Sequence, residues 1–190
     1  MVAMNNFEIV ILALALVFSS WSSYLNAGIV LSKEPFLRKL YFTCVMFFFQ
    51  FMLAGVGIWV GYKVGSFEVR VNMLISLSIL LIFGLKVLLT GIRTQGEEKA
   101  FDYTDNKVTL FAALAEGITP LTVGIAIGLL SIHPYLHWMV IGIFLITGIV
   151  FGLFLAVRMG TGSLKLRFGP IGGLLLLAAA IKLALNLTGF

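Results

Sequence analysis

Apolar residues run through this chain in long unbroken stretches, without the strict alternation of strands or the narrow stripe of soluble helices. The runs are Phe7–Leu31, Leu40–Val64, Val71–Ile92, Val108–Ser131, Trp138–Val157 and Pro170–Leu187. A hydrocarbon core about 30 Å thick takes ~20 apolar residues per helix, so each run reads as one membrane span. The pattern predicts an all-α, polytopic membrane protein with six transmembrane helices. One long hydrophilic stretch, Arg93–Lys107 (RTQGEEKAFDYTDNK), interrupts it almost at the midpoint. Charges that dense cannot sit in hydrocarbon, so residues 94–107 read as a solvated linker between three-span halves, 1–93 and 108–190.

The halves resemble each other. A shift of 96 positions sets Gly28 on Gly124, Leu25 on Leu121, Ser23 on Thr119, Ser20 on Glu116 and Lys86 on Lys182. A shift of 95 sets Lys63-Val64-Gly65 on Arg158-Met159-Gly160. Three spans per half is an odd number, so the second half enters the membrane from the opposite side. The expected architecture is an inverted repeat, common among secondary transporters, with a binding site near the midplane. Gly57, Gly61 and Gly65, and again Gly148 and Gly152, recur four apart along one helix face. Small residues at that spacing let a second backbone approach closely.

Composition agrees with the pattern. The chain is 61% hydrophobic and 11% charged, where a soluble domain carries about 25% charged residues. Its net charge of +5 matters through its location. Lys33, Arg38, Lys39, Arg93, Lys99, Lys107, Arg158, Lys165 and Arg167 fall in the first, third and fifth loops, against Lys63 and Arg70 opposite. The positive-inside rule then places those loops in the cytoplasm and both termini outside. No basic patch calls for a nucleic acid; the expected partner is the lipid bilayer, with a homo-oligomer or subunits of a membrane complex also open. The first run has no basic residue before it and no small-residue cleavage site after it, so it reads as a retained helix. Cys44, the single cysteine, offers neither a disulfide framework nor a thiolate cluster.

Ionisable residues inside hydrocarbon are costly and therefore informative, and three stand out: Lys86, Glu116 and Lys182. Glu116 lies nine residues beyond Lys107, about 13 Å along a helix, too deep for its side chain to reach the interface. Pro120, lacking an N–H, leaves the Glu116 carbonyl without its helical partner. A carboxylate, a freed carbonyl and the Thr119 hydroxyl can then converge on one turn. The corresponding turn of the first half offers Ser20, Ser23 and Asn26. Such oxygen ligands suit Mg²⁺, Ca²⁺, Mn²⁺ or a proton. Equally open is a structural role, with Glu116 neutralising Lys86 or Lys182. Each lysine lies near a helix end and can snorkel to the interface. His133 and His137 would share a helix face, but Pro134 stands between them, and residues beside Tyr135 and Trp138 fit a membrane interface better than a metal or haem site. No nucleophile–base pair, phosphate-binding glycine loop or His/Cys ligand cluster is present, so the chain does not read as an enzyme.

Several stretches carry a family resemblance: ILLIFGLKVLLTGIR, ITPLTVGIAIG and GPIGGLLLLAAAIKLAL, together with the repeat. Over nearly its whole length the chain resembles the bacterial manganese efflux pumps of the MntP type, six-helix proteins of the lysine-exporter-like superfamily. The resemblance implies a multi-pass protein of the inner (plasma) membrane that exports manganese, with no resident cofactor. It also implies an aspartate in the first span and another in the fourth. The best-matching positions here are Ser23 (or Trp21) and Thr119, so both aspartates are absent, while the basic positions persist as Lys86 and Lys182. A divalent ion in the membrane interior needs formal negative charge to offset desolvation. Glu116 can replace one aspartate. Two functions therefore stand: a transporter exporting a small cation such as manganese, with Glu116 as the metal-binding carboxylate, and a non-transporting subunit of a larger complex.

Overall fold

A computed structural model describes residues 6–65, 68–93, 102–131, 133–159 and 169–188, and all regular structure among them is helical. The helices are α1 (Asn6–Ser19), α2 (Trp21–Val30), α3 (Phe36–Val64), α4 (Val69–Arg93), α5 (Asn106–Leu130), α6 (Pro134–Met159) and α7 (Gly169–Thr188). α3 to α7 are each long and apolar enough to cross a membrane, and α1 with α2 supplies a sixth span bent by 43°. The chain is thus a polytopic all-α membrane protein. The first span is not the continuous helix expected over Phe7–Leu31. Ser20, with φ −100° and ψ 7°, interrupts it. The cause is local: the serines of SSWSS offer hydroxyls that compete for backbone groups, as Ser19 does in bonding the Leu16 carbonyl at 2.7 Å.

Two connections are shorter than the sequence suggested. A 3₁₀ turn covers Leu31–Lys33, and Pro35 stands at the N-cap of α3, so Arg38 and Lys39 lie on helix. Proline suits a helix start because its missing N–H would be unpaired there anyway. In the central linker, residues 94–101 lie outside the described residues, and so does most of the fifth loop, 160–168. The last part of the linker is built rather than merely solvated. Tyr103 is buried and meets Phe42 edge-on at 5.3 Å. Asp105 caps α5 by accepting the Lys107 N–H at 2.9 Å, starting that helix two residues before Val108. The Arg38 guanidinium donates to the Asn106 side chain and to the Tyr103 and Thr104 carbonyls, fastening the first turn of α3 to this segment. Hydrogen bonds from the Thr104 hydroxyl and N–H to Asp102 hold that exposed carboxyl below its usual range.

The closest packing joins α3 to α5. A Cβ on Gly57 would lie 2.1 Å from the Leu121 carbonyl oxygen, and one on Gly61 2.2 Å from that of Ile125. From the other side, a Cβ on Gly124 would meet the Ala54 oxygen at 2.6 Å and one on Gly128 the Ile58 oxygen at 2.2 Å. Backbone therefore lies on backbone, and each helix supplies the glycines that admit the other. Gly148 and Gly152 of α6 do the same less tightly, receiving Val17 and Tyr24. α7 packs on α1 and α4, α6 on α1, α2 and α3, and α4 on α5. Exchanging the first three spans for the last three carries each of these pairings, with α3–α5, onto itself or onto another of the set. Trp138 closes the α3–α6 contact by stacking on Phe51 at 4.5 Å and donating to its carbonyl at 2.9 Å.

Candidate functional site

The break at Ser20 puts two hydroxyls one turn apart at the start of α2, and α5 brings a carboxylate to them. Ser20 Oγ donates to Glu116 Oε2 at 2.7 Å, and Ser23 Oγ to Oε1 at 2.5 Å. Both carboxylate oxygens are thereby satisfied within the membrane-spanning part of the fold, where lipid offers no hydrogen bonds. The start of a helix carries partial positive charge, so a carboxylate facing α2 there is further favoured. Pro120, buried one turn further along α5, deprives the Glu116 carbonyl of its usual i+4 N–H partner.

Of the other residues singled out from the sequence, Thr119 and Asn26 are half-buried on the adjoining turns of α5 and α2. Thr119 lends its carbonyl to the Thr122 hydroxyl at 3.0 Å. It is the two serines that hold Glu116. The lysines lie elsewhere. Lys182 Nζ is 3.0 Å from Glu8 Oε1, and Lys86 is exposed, with its ammonium 5.3 Å from the centre of the Phe83 ring. Glu116 is thus bonded to serines rather than to either lysine, and the carboxylate beside Lys182 is one from the start of α1. His137 is buried against the Ser131 hydroxyl, while His133 precedes the first turn of α6. Among the described residues, no three His, Cys, Asp or Glu side chains gather closely enough to hold a metal ion.

Two residues of the site escaped the sequence reading. Tyr24, fully buried, lies beside Ser20 and Glu116, and its hydroxyl donates to Gln50 Oε1 of α3 at 2.7 Å. The available signal was the glutamine itself, a polar residue in the otherwise apolar run FFFQF. Such a residue faces the bundle interior, because lipid cannot satisfy its amide. Glu8 was also passed over, since a carboxylate at the start of a span looks like an interfacial residue.

Comparison with known proteins covers most of the chain. The model of a family described as "Mntp: Putative manganese efflux pump" matches residues 34–184. Over 181 residues the chain is 28% identical to the "Putative manganese efflux pump MntP" of Methanobrevibacter smithii, covering 94% of this chain and 96% of that one. The protein of the same name from Methanosphaera stadtmanae is 25% identical over 181 residues, covering 94% and 98%. That from Bacillus pumilus is 26% identical over 175 residues, covering 91% of each chain. No solved structure matches.

Proposed function

This chain belongs to the MntP family of membrane transporters, and we propose that it exports manganese through a site centred on Glu116. The observation that carries the proposal is the Glu116 carboxylate of α5, held by Ser20 and Ser23 at the break in the first span. A hydroxyl has one hydrogen and two lone pairs. Without a cation the serine hydrogens hydrogen-bond the carboxylate; when a cation arrives, the hydroxyls turn and present lone pairs to it. The Glu116 carbonyl, which lacks its i+4 N–H, and the oxygens of Thr119 and Asn26, one turn from Glu116 and Ser23 on their own helices, are the further ligands. All are hard oxygen donors, which suit manganese and magnesium better than softer metals. Half-helices that meet at a midplane site are a recurrent transporter device.

The two halves, 1–93 and 108–190, we read as an inverted repeat, supported by the 96-residue offset and by helix pairings that survive exchange of the halves. Both termini are then outside, in the plasma membrane, with the first and third loops cytoplasmic. The Arg38 bonds to Tyr103, Thr104 and Asn106 support that reading by holding those two loops at one end of the bundle. Alkaline phosphatase fused after Gly65 should be active, and a fluorescent protein inserted within 94–101 should fluoresce. Silence of the first with phosphatase activity at the second would reverse the orientation.

A second reading, a non-transporting subunit of a larger membrane complex or oligomer, is favoured by the lack of a multi-carboxylate cluster among the described residues. One experiment separates the two. Purified alone and placed in liposomes, the protein should carry Mn²⁺ down an imposed gradient. Ser20→Ala and Ser23→Ala should each slow that transport about tenfold, the equivalent of one hydrogen bond to a charged group. Liposomes no more permeable to Mn²⁺ than empty ones would favour the subunit.

A further inference from the structure

Two grooves lie between α3 and α6, one toward each end of the bundle. The groove beside the start of α3 and the end of α6 holds about 410 Å³, and Gly28 of α2 helps to line it. That volume falls within the ~300–1,000 Å³ of small-molecule sites. Phe36, Leu40, Val150, Phe154 and Val157 of its lining are all exposed, so it opens on the outer surface of the bundle. Arg158 lies eight residues beyond Val150, about 12 Å along the helix, so the walls run from the interface well into hydrocarbon. Thr43 donates its hydroxyl hydrogen to the Lys39 carbonyl at 2.9 Å, which leaves the interior apolar. Lys39, half-buried in the wall, brings a charge. Its Nζ donates to the Ser32 carbonyl at 3.0 Å, which holds the ammonium beside the 3₁₀ turn with two of its three hydrogens left to give. Lys33 adjoins that serine and Arg158 follows Val157, both exposed. Glu34 is the one carboxylate within 31–43 and 150–159, and none of these four groups makes an ion pair with another described residue.

The second groove, of about 280 Å³, is built from corresponding positions. A shift of 95 sets Gly55, Ile58, Trp59 and Tyr62 of its lining on Val150, Leu153, Phe154 and Val157 of the first. A shift of 96 sets Lys39 on Tyr135, which lines the second groove in its place. The two differ in kind. Trp59, Tyr62, Tyr135 and Trp138 face the second, and no lysine or arginine among the described residues lines it. Such rings suit a membrane interface without recruiting charge. We propose that the first groove is a binding site for an anionic phospholipid. One acyl chain lies between α3 and α6, and the phosphate rests on Lys39 with Arg158 and Lys33 beside it. A lipid brings both things the groove asks for, an apolar chain for walls that face hydrocarbon and a negative charge for the cations at its mouth. On the orientation proposed above this is the cytoplasmic end, where basic pockets between spans take anionic headgroups. The groove shares no lining residue with the Glu116 site.

The test is native mass spectrometry of the purified protein, titrated with phosphatidylglycerol or with phosphatidylcholine of the same acyl chains. One phosphatidylglycerol should be held about tenfold more tightly than phosphatidylcholine, the size of one hydrogen bond to a charged group. Lys39→Gln combined with Arg158→Gln should remove that preference, while Tyr135→Phe in the second groove should leave it intact. Val150→Trp, at an exposed position, should fill the groove and weaken both lipids. Equal retention of the two lipids by the unaltered protein would overturn the proposal. So would a charge variant that keeps the preference, or Val150→Trp binding as the unaltered protein does, since the phosphate or the chain would then lie elsewhere. A dimer that persists without lipid and dissociates in Val150→Trp would give the groove to a second copy of this chain and overturn it too. Should the charge variant not assemble, Lys39→Met with Arg158→Met takes its place; failure of both would assign the two cations to folding and overturn the proposal.

Discussion

Glu116→Gln should abolish manganese transport while the protein still folds and purifies as the wild type does. Glutamine keeps the volume and still offers an oxygen to one serine, and its amide nitrogen can donate to the hydroxyl oxygen of the other. What it removes is the formal charge that a divalent ion must meet on leaving water. Losing a charged partner is worth about 1.5–3 kcal/mol, so a drop of at least about a hundredfold in transport is expected once desolvation is added. Folding is spared because no cation is orphaned: Lys182 has Glu8 at 3.0 Å, and Lys86 is exposed. Mn²⁺ flux in liposomes, read beside gel filtration of the same preparation, checks both halves of the expectation. Loss of folded protein would instead make Glu116 a structural residue.

The second large effect concerns one chemical change made at two places. Gly128→Ala should destabilise the protein by about 2–3 kcal/mol, whereas Gly117→Ala should stay within about 1 kcal/mol. The new methyl would stand 2.2 Å from the Ile58 carbonyl oxygen in the first case and 2.3 Å from Leu53 Cδ1 in the second. These near-equal distances have different consequences. Leucine can change rotamer, but the Ile58 carbonyl belongs to the α3 backbone and yields only if the helices separate. Gly61→Ala meets the same obstacle from the other side, at 2.2 Å from the Ile125 oxygen. Combined with Gly128→Ala it should prevent assembly. Thermal unfolding in mild detergent would rank the variants, and equal melting points for Gly128→Ala and Gly117→Ala would show that the interface is looser than the helix geometry implies.

Hydropathy alone was enough to locate the spans, because the need to fill about 30 Å of hydrocarbon sets their length almost without regard to detail. Glu116 was legible for the same reason: a carboxylate so far from either end of an apolar run is costly and must find a partner, though a structural pair stayed as open as an ion site. Its partners were harder to see. Position along a span gives depth in the membrane but not direction around the helix. Lys86 and Lys182 were therefore candidates to pair with Glu116, although the bundle points it at Ser20 and Ser23. The break at Ser20 was hidden because a serine run is compatible with a polar helix face as well as with a bend. Gly57 and Gly61 announced a close contact, yet nothing in their spacing named α5 as the helix received. Tyr24 and Gln50 were lost among neighbours that differ from them by few atoms and many kilocalories.

The interrupted first span has a consequence for how the protein is made. Its pieces, 14 and 10 residues long, each fall short of the ~20 needed to cross a bilayer. The hydroxyls of Ser20 and Ser23 at the interruption find their tertiary partner in Glu116 of α5, which leaves the ribosome about a hundred residues later. This segment, synthesised before α5, is therefore completed only once α5 has been made. Until α5 arrives, the Ser20 and Ser23 hydroxyls lack the carboxylate they bond in the finished bundle. During that interval the nascent chain is exposed to quality-control proteases, and anything that slows synthesis of the second half lengthens the exposure.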